Sequence, residues 1–171
     1  MAGNLGGLIS LVLLGLLLGC GTTPPSNYYM LSADAEGVPD IHGPSIGVGP
    51  VTVPEYLKRG QMVLNRDDHR LDLAEYDRWA EPLQDGVRRV VSINLAILLD
   101  TQDVQQYPWR RDSPPDYSVQ VAVAQFSIQD GNALLVAEWT VSDIARRKPL
   151  VQRIKPYEMA VGGNAPEQIA A

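Results

Sequence analysis

Cys20 is the single cysteine among 171 residues, and the residues before it give its thiol a specific chemistry. Leu17-Leu18-Gly19 sets two leucines and then a small residue against it. A peptidase that cuts beside a lipid-modified thiol must reach the backbone at that point, and a bulky residue at position 19 would block it. The chemistry expected of Cys20 is therefore covalent attachment of lipid, palmitate included. One cysteine in an exported chain has no internal disulfide partner, and without a second thiolate no cysteine-based metal site can form.

The other reactive residue types do not converge. His42 and His69 are the only histidines, and neither stands in a metal-ligand spacing. His69 lies in Asp67-Asp68-His69-Arg70, the composition of a polar hairpin loop. No serine stands in a nucleophile elbow. Gly47-Val48-Gly49-Pro50 lacks the third glycine and the following helix of a phosphate loop, and Pro50 removes a backbone donor, so strand distortion explains it better. Glu75, Asp77, Glu81 and Asp85 form an acidic run that reads as a solvated rim near a helix start, where acids suit the dipole. No catalytic set, metal site or cofactor is expected. Trp79, Tyr107 and Trp109 sit at element ends, two of them flanking Pro108. Rings in such places are either core plugs or contact anchors for a partner. These three are the candidate partner contacts. Trp139, alternating within a strand, reads as core.

The elements that must carry these residues follow from pattern. Tyr28–Leu31 reads as a first strand, Ala33–Pro44 as a loop, and Ser45–Val53 as a strand whose phase Pro50 shifts through a bulge or an edge. Pro54–Leu57 reads as one helical turn. Met62–Leu64 and Arg70–Tyr76 read as paired strands across Asn65–His69. The strongest element is a helix over 82–100, entered at Pro82, with Leu83, Val87, Val90, Val91, Asn94, Leu95 and Leu98 as its inward stripe. Asn94 is the polar member of that stripe, and Asp85, Arg88 and Arg89 face away. Val104–Trp109 precedes a turn-rich stretch with Pro114-Pro115. Tyr117–Gln129 alternates as a long half-buried strand, with Ser118 and Gln120 on the face opposite Tyr117, Val119, Val121 and Val123. A hairpin at Asp130-Gly131 returns it as Ala133–Ser142, and Leu150–Met159 follows a turn at Arg146–Pro149. Residues 162–167 carry the signals that open a helix, which then stops at Ala171 after barely a turn. The expected fold class is α+β, a single domain. A mostly antiparallel or mixed sheet is covered on one face by the main helix (82–100) and by a second, C-terminal helix that reads as truncated.

Composition sets the rest. Met1–Gly19 holds no charged side chain, and Leu8–Leu18 is almost wholly aliphatic. That core fits a signal peptide and falls short of the roughly 20 residues that a spanning helix needs. The segment ending at Cys20 resembles a bacterial lipobox. An ordinary signal peptide, or a buried apolar helix, is the alternative, and a start codon downstream of the true one would account for the missing Lys and Arg near residue 1. The domains expected are 1–19 signal peptide, 20–27 lipidated tether and 28–171 folded domain. The net charge of −6 lies wholly in the mature part. An acidic domain whose longest basic run is Arg146-Arg147-Lys148 is poorly suited to nucleic acid.

Several blocks together resemble one family. They are Tyr28-Tyr29-Met30-Leu31-Ser32, the stretch Ser45–Leu57 with its Gly-Pro-Val and Pro-Glu-Tyr-Leu, Arg70–Leu83 with Trp-Ala-Glu-Pro-Leu, Tyr107-Pro108-Trp109, and the strand from Asp116-Tyr117. The chain is similar to the PqiC-like (paraquat-inducible protein C) auxiliary lipoproteins of ABC-type transport systems. The resemblance implies a non-enzymatic outer-membrane lipoprotein facing the periplasm. Its implied partner is an MCE-domain periplasmic protein that forms a tunnel for lipid between the membranes. Gly21 after the cysteine, where aspartate would favour inner-membrane retention, agrees with that address. A homo-oligomer is compatible with this reading. The alternative is a periplasm-facing shuttle that holds apolar cargo in its own pocket.

Overall fold

The computed structural model describes residues 24–160 except 68–69 and 130–131, with backbone alone at 64–67 and 128–129. Cys20, His69, the signal and most of the tether, Asp130-Gly131 and the 162–167 helix signals lie outside the described residues.

Two sheets and one helix make the domain. β1 (Asn27–Tyr29), β4 (Arg70–Trp79) and β3 (Gln61–Asp67) form a three-stranded sheet in the order β1-β4-β3. β5 (Val104–Gln106), β2 (Ile46–Thr52), β6 (Tyr117–Gln129), β7 (Asn132–Asp143) and β8 (Lys148–Ala160) form the second, in that spatial order. β1 runs parallel to β4, and β2 runs parallel to both β5 and β6; the remaining pairs are antiparallel. The α+β class and the main helix are as expected, but the strands divide between two sheets where one was expected.

α1 (Leu83–Leu98) begins directly after Pro82, whose φ of −53° already suits a helix. It ends where Asp100 turns left-handed at φ +52°, and the Asp100 carboxylate accepts the Asp40 amide at 2.7 Å. Its apolar stripe packs on β2 and β5 as far as Leu95, but Leu98, expected in that stripe, is 72% exposed because the helix has by then run past the sheet edge. Asn94, the polar member of that stripe, accepts the Ala35 amide at 3.1 Å, so the loop before β2 satisfies it. Arg88 and Arg89 do not stand free in solvent. Arg88 pairs with Asp85 at 2.7 Å, and Arg89 Nη2 donates to Glu81 Oε1 at 2.6 Å and to the Leu31 carbonyl at 2.8 Å. That second bond ties the helix to the segment after β1.

The core lies where β3 and β6 of the two sheets meet under the start of α1. Met62, Leu57, Val63, Val123 and Leu83 are buried there. Pro50 sits within a central strand, and the ladder absorbs it as a register shift between Val48 and Val51, which settles bulge over edge. β6 is irregular in the same way between Val123 and Gln125, so its alternation is not strict to the end. Leu71 and Leu73 point outward while Ala74, on the opposite face of β4, packs on the core.

Candidate functional site

Trp79 parts company with the other two candidate contacts. It is only 8% exposed and packs in the core cluster beside Leu83, at the end of β4, where its amide donates to the Gly60 carbonyl at 2.8 Å. Its ring offers no surface to a partner.

Tyr107 and Trp109 form one feature. Their rings meet edge to face, with centroids 5.2 Å apart and planes at 82°, an arrangement favoured by the quadrupoles of the two rings. Tyr107 is 45% exposed, and Trp109 is half-buried. The seat beneath them is made of glycine. A Cβ on Gly47 would lie 2.9 Å from Trp109 Cε3 and 2.6 Å from Pro115 Cγ. A Cβ on Gly49 would lie 2.7 Å from Tyr107 Cβ, and Gly49 adopts φ +118°, which a side chain strains. The glycines therefore let two aromatic side chains lie directly on the backbone of β2. Ile46 and Val48 alternate to the opposite face of the strand.

The segment bearing the rings is tied to β2 along its length. Ile46 N donates to the Asp103 carbonyl at 2.9 Å, and Tyr107 N donates to the Val48 carbonyl at 2.9 Å. Thr101, fully buried, donates its hydroxyl to the Pro44 carbonyl at 2.9 Å. Beyond Trp109, Arg110 grips Asp112 through two bonds of 3.0 and 2.7 Å, and that guanidinium holds the Asp112 carboxyl below the usual carboxylate range. Both side chains are exposed, so this pair shapes the turn and adds little stability. Ser118 pairs with Gly47 and is buried with it, although its residue type had placed it on a polar face. A hollow of about 390 Å³ lies beside the rings, lined by Gln105, Gln106, Pro108, Trp109 and Arg110 among others. Its lining mixes the Trp109 ring with two side-chain amides, the Arg110 guanidinium and the Asp103 carboxylate.

The remaining candidates are structurally occupied. Asp77 accepts from Asn27 at 2.9 Å and from the Tyr29 hydroxyl at 3.2 Å, while Glu81 and Asp85 hold the arginines described above. His42 pairs with Asp40 on the surface at 3.1 Å. Among the described residues no group of His, Cys, Asp or Glu has a metal-binding arrangement, and no helix is long and apolar enough to cross a membrane.

The shuttle alternative calls for a pocket, but the sequence placed no residues in one. About 430 Å³ opens between α1 and the far end of the five-stranded sheet. Leu83 and Val87 of the helix roof it with Leu31, and Val123, Phe126, Ala133 and Leu135 floor it. Tyr157 and Met159 of the edge strand β8 form its outer wall. By register, Val123, Ala137, Leu135 and Ala133 share the sheet face of Val48 and Val119. The cavity and the aromatic pair are thus on opposite faces of one sheet.

The domain is thus an α+β fold with an exposed aromatic pair on one sheet face and an apolar cavity on the other. The comparisons name the family. The model of the ABC-type transport auxiliary lipoprotein component matches residues 29–171, and the chain belongs to that family. It is 28% identical over 131 residues to the intermembrane transport lipoprotein PqiC of Escherichia coli (strain K12), covering 74% of this chain and 68% of the relative. The same protein of Shigella flexneri matches equally. Two solved structures share the fold. One is an uncharacterized protein with a TM-score of 0.70 at 22% identity, covering 86% of this chain and 88% of its own. The other, from Xanthomonas campestris, has a TM-score of 0.65 at 11% identity and covers 85% and 83%. The family is one of transport auxiliary components and not of enzymes, and such a component works with partners in a transport complex.

Proposed function

We propose that the chain is an exported lipoprotein, anchored in the outer membrane by lipid on Cys20 and facing the periplasm. There it serves as the non-enzymatic docking subunit of an intermembrane lipid transport system. The partner it docks is an MCE-domain periplasmic protein, and the contact is the Tyr107–Trp109 surface. The observation that carries this reading is the glycine seat: β2 gives up two side chains so that two large rings can be held rigidly at a surface. Rigid aromatic side chains with exposed edges are the residue types that dominate interfaces. The family and the PqiC relatives support the transport role.

The test is co-purification of the MCE-type partner with the full chain and with a Tyr107→Ala/Trp109→Ala variant. Loss of the partner with the fold intact supports the docking surface; undiminished recovery removes these residues from it. Membrane fractionation of Cys20→Ser tests the anchor, which predicts release into the soluble fraction. A second reading, a shuttle carrying apolar cargo in its own pocket, is favoured by the cavity under α1.

A further inference from the structure

β5 ends the five-stranded sheet at the corner that carries the rings, and its outer edge is bare. Ile46 N donates to the Asp103 carbonyl and Tyr107 N to the Val48 carbonyl, with Gln105 in register beside Gly47. Bonding residues alternate along such a ladder, so Gln105 turns both its backbone groups to β2. Val104 and Gln106 turn theirs the other way. Among the described residues no hydrogen bond meets those two N–H and two C=O groups. Exposed sheet edges are normally blunted with proline or lysine. β8, at the other edge, carries Pro149, Arg153, Lys155 and Pro156, whereas Val104-Gln105-Gln106 carries neither proline nor charge.

The surfaces flanking this edge are unfinished too. On the helix side, Leu98 of the inward stripe stands 72% exposed where α1 has run past the sheet. On the ring side, the hollow of about 390 Å³ is lined by Gln105 and Gln106, from the two faces of β5, together with Trp109. Asp103 lines it as well. It is exposed, and its carboxylate has no partner among the described residues, whereas Arg110 is already held by Asp112.

Paired N–H and C=O groups two residues apart, about 6.6 Å along a strand, are matched by another extended main chain. We infer that the docked partner contributes a sixth strand, an extended segment of its chain laid along β5. Alternation places one of its side chains under Leu98 and the next in the hollow against Trp109, so both are apolar. A lysine or arginine of the segment meets Asp103, which suits an acidic domain. Main-chain bonds hold the segment and the side chains select it. The described chain's own end is too far away to be this strand. From Val119, level with Gln106, to Gln129, level with Ala160, β6 runs about 33 Å, and the strand spacings from β8 to β5 add about 19 Å sideways. Residues 161–171, fully stretched, span at most about 36–40 Å, which leaves none to pair. The inference rests on the docking reading and adds which part of the partner is held, and how.

The probe is the purified MCE-type partner, followed by short synthetic peptides that together cover its sequence. Gln106→Pro removes an outward N–H and leaves every bond to β2 in place, a position where a sheet edge accepts proline. It should weaken the partner at least tenfold at an unchanged urea midpoint, while Gln106→Ala, which keeps the N–H, should weaken it far less. Leu98→Ser, at an exposed position, should weaken it about fivefold. Asp103→Asn should weaken it about two- to fivefold at low salt and hardly at all at about 1 M salt. Residue-resolved hydrogen exchange on the parent chain needs no variant to fold. The Val104 and Gln106 amides should exchange fast in the free chain and at least tenfold more slowly in the complex, with Gln105 slow in both. One of the peptides should compete with the whole partner; if none does, the contact is a folded surface and the inference falls. Val104 and Gln106 amides already protected in the free chain would mean that a second copy or the chain itself covers the edge, which also overturns it. Recovery that needs Tyr107 and Trp109 but survives Gln106→Pro, with both amides still fast, refutes the added strand alone. A parent chain that recovers no partner refutes the docking reading and this inference with it.

Discussion

Adding a single methyl group to Gly47 should unseat the aromatic corner. Carbon atoms pack best at about 3.5–4.0 Å, whereas the Cβ of a Gly47→Ala variant would lie 2.6 Å from Pro115 Cγ and 2.9 and 3.0 Å from two atoms of the Trp109 ring. Pro115 is fully buried, so its overlap is relieved only by a shift of the β2 backbone, while the second overlap is relieved by movement of the ring. Gly47 has no positive φ, so no backbone strain adds to the steric overlap. Overpacking of this kind costs about 1–3 kcal/mol. For a domain of this size that is a fall of about 3–10 °C in melting temperature. The assay is equilibrium urea unfolding followed by far-UV circular dichroism, which does not depend on Trp109 fluorescence.

A double-mutant cycle separates the cause from a general loss. In a Trp109→Ala background the ring is gone and only the Pro115 overlap remains, so Gly47→Ala should cost about 1 kcal/mol less than it does alone. Gly60→Ala is the control, because nothing lies within 4 Å of its added carbon, and it should be neutral or slightly stabilising. Costs for Gly47→Ala and Trp109→Ala that add within about 0.5 kcal/mol would refute the seat.

Three further outcomes follow from the core and the ion pairs. Met62, the largest fully buried side chain among the described residues, should cost about 2–5 kcal/mol when truncated to alanine, read as a lower urea midpoint at unchanged slope. Asp143 has its carboxyl held below the ordinary range, first by the Arg146 backbone N–H and then by the Arg146 guanidinium, against the opposing effect of burial. A depressed carboxylate adds stability that is present above its unfolded pKa and lost as pH falls through the folded one; Asp143→Asn should therefore flatten the stability profile below about pH 4 and leave its shape at neutral pH unchanged. Arg89→Ala breaks the joint between Glu81, α1 and the Leu31 carbonyl and should cost about 1–3 kcal/mol; Arg89→Lys should restore only part of it, since the fork that reaches both acceptors is lost.

The helix was legible because its signals are local: a proline at entry and a stripe of apolar residues at helical spacing. The same holds for the β6–β7 hairpin, whose two strands are neighbours in sequence and in space. Membership of a sheet is not local. β1 joins β4 and β2 joins β5 through parallel pairings across long stretches of chain, and no periodicity within either strand declares its partner. The aromatic residues show the same limit. Trp79, Tyr107 and Trp109 look alike at element ends, and only the fold buries the first while leaving the other two at a surface. One signal was available. Gly47-Val48-Gly49 offers two bare positions on one strand face, and Tyr107-Pro108-Trp109 offers two rings at the same spacing. Each is unremarkable alone; matched, they predict that one lies on the other. The cavity had no such signature, since its walls come from α1, β6, β7, β8 and the segment after β1.

Opposite faces of one sheet make the two surfaces separable. β2 carries Gly47 beneath the rings and Val48 on the cavity's side, so the sheet itself is the barrier between them. Coupling between bound ligands requires an element with two arrangements that both sites bias. A packed central strand joined on both edges by backbone hydrogen bonds is a poor candidate for one. Tyr107→Ala/Trp109→Ala should therefore leave the amount of phospholipid carried by the chain, read by native mass spectrometry, within twofold of the parent, and Met159→Trp at the cavity wall should leave recovery of the partner unchanged. A partner that shifted lipid affinity tenfold would demand the same factor in reverse. It would also mean that the sheet transmits what its hydrogen bonding says it should resist.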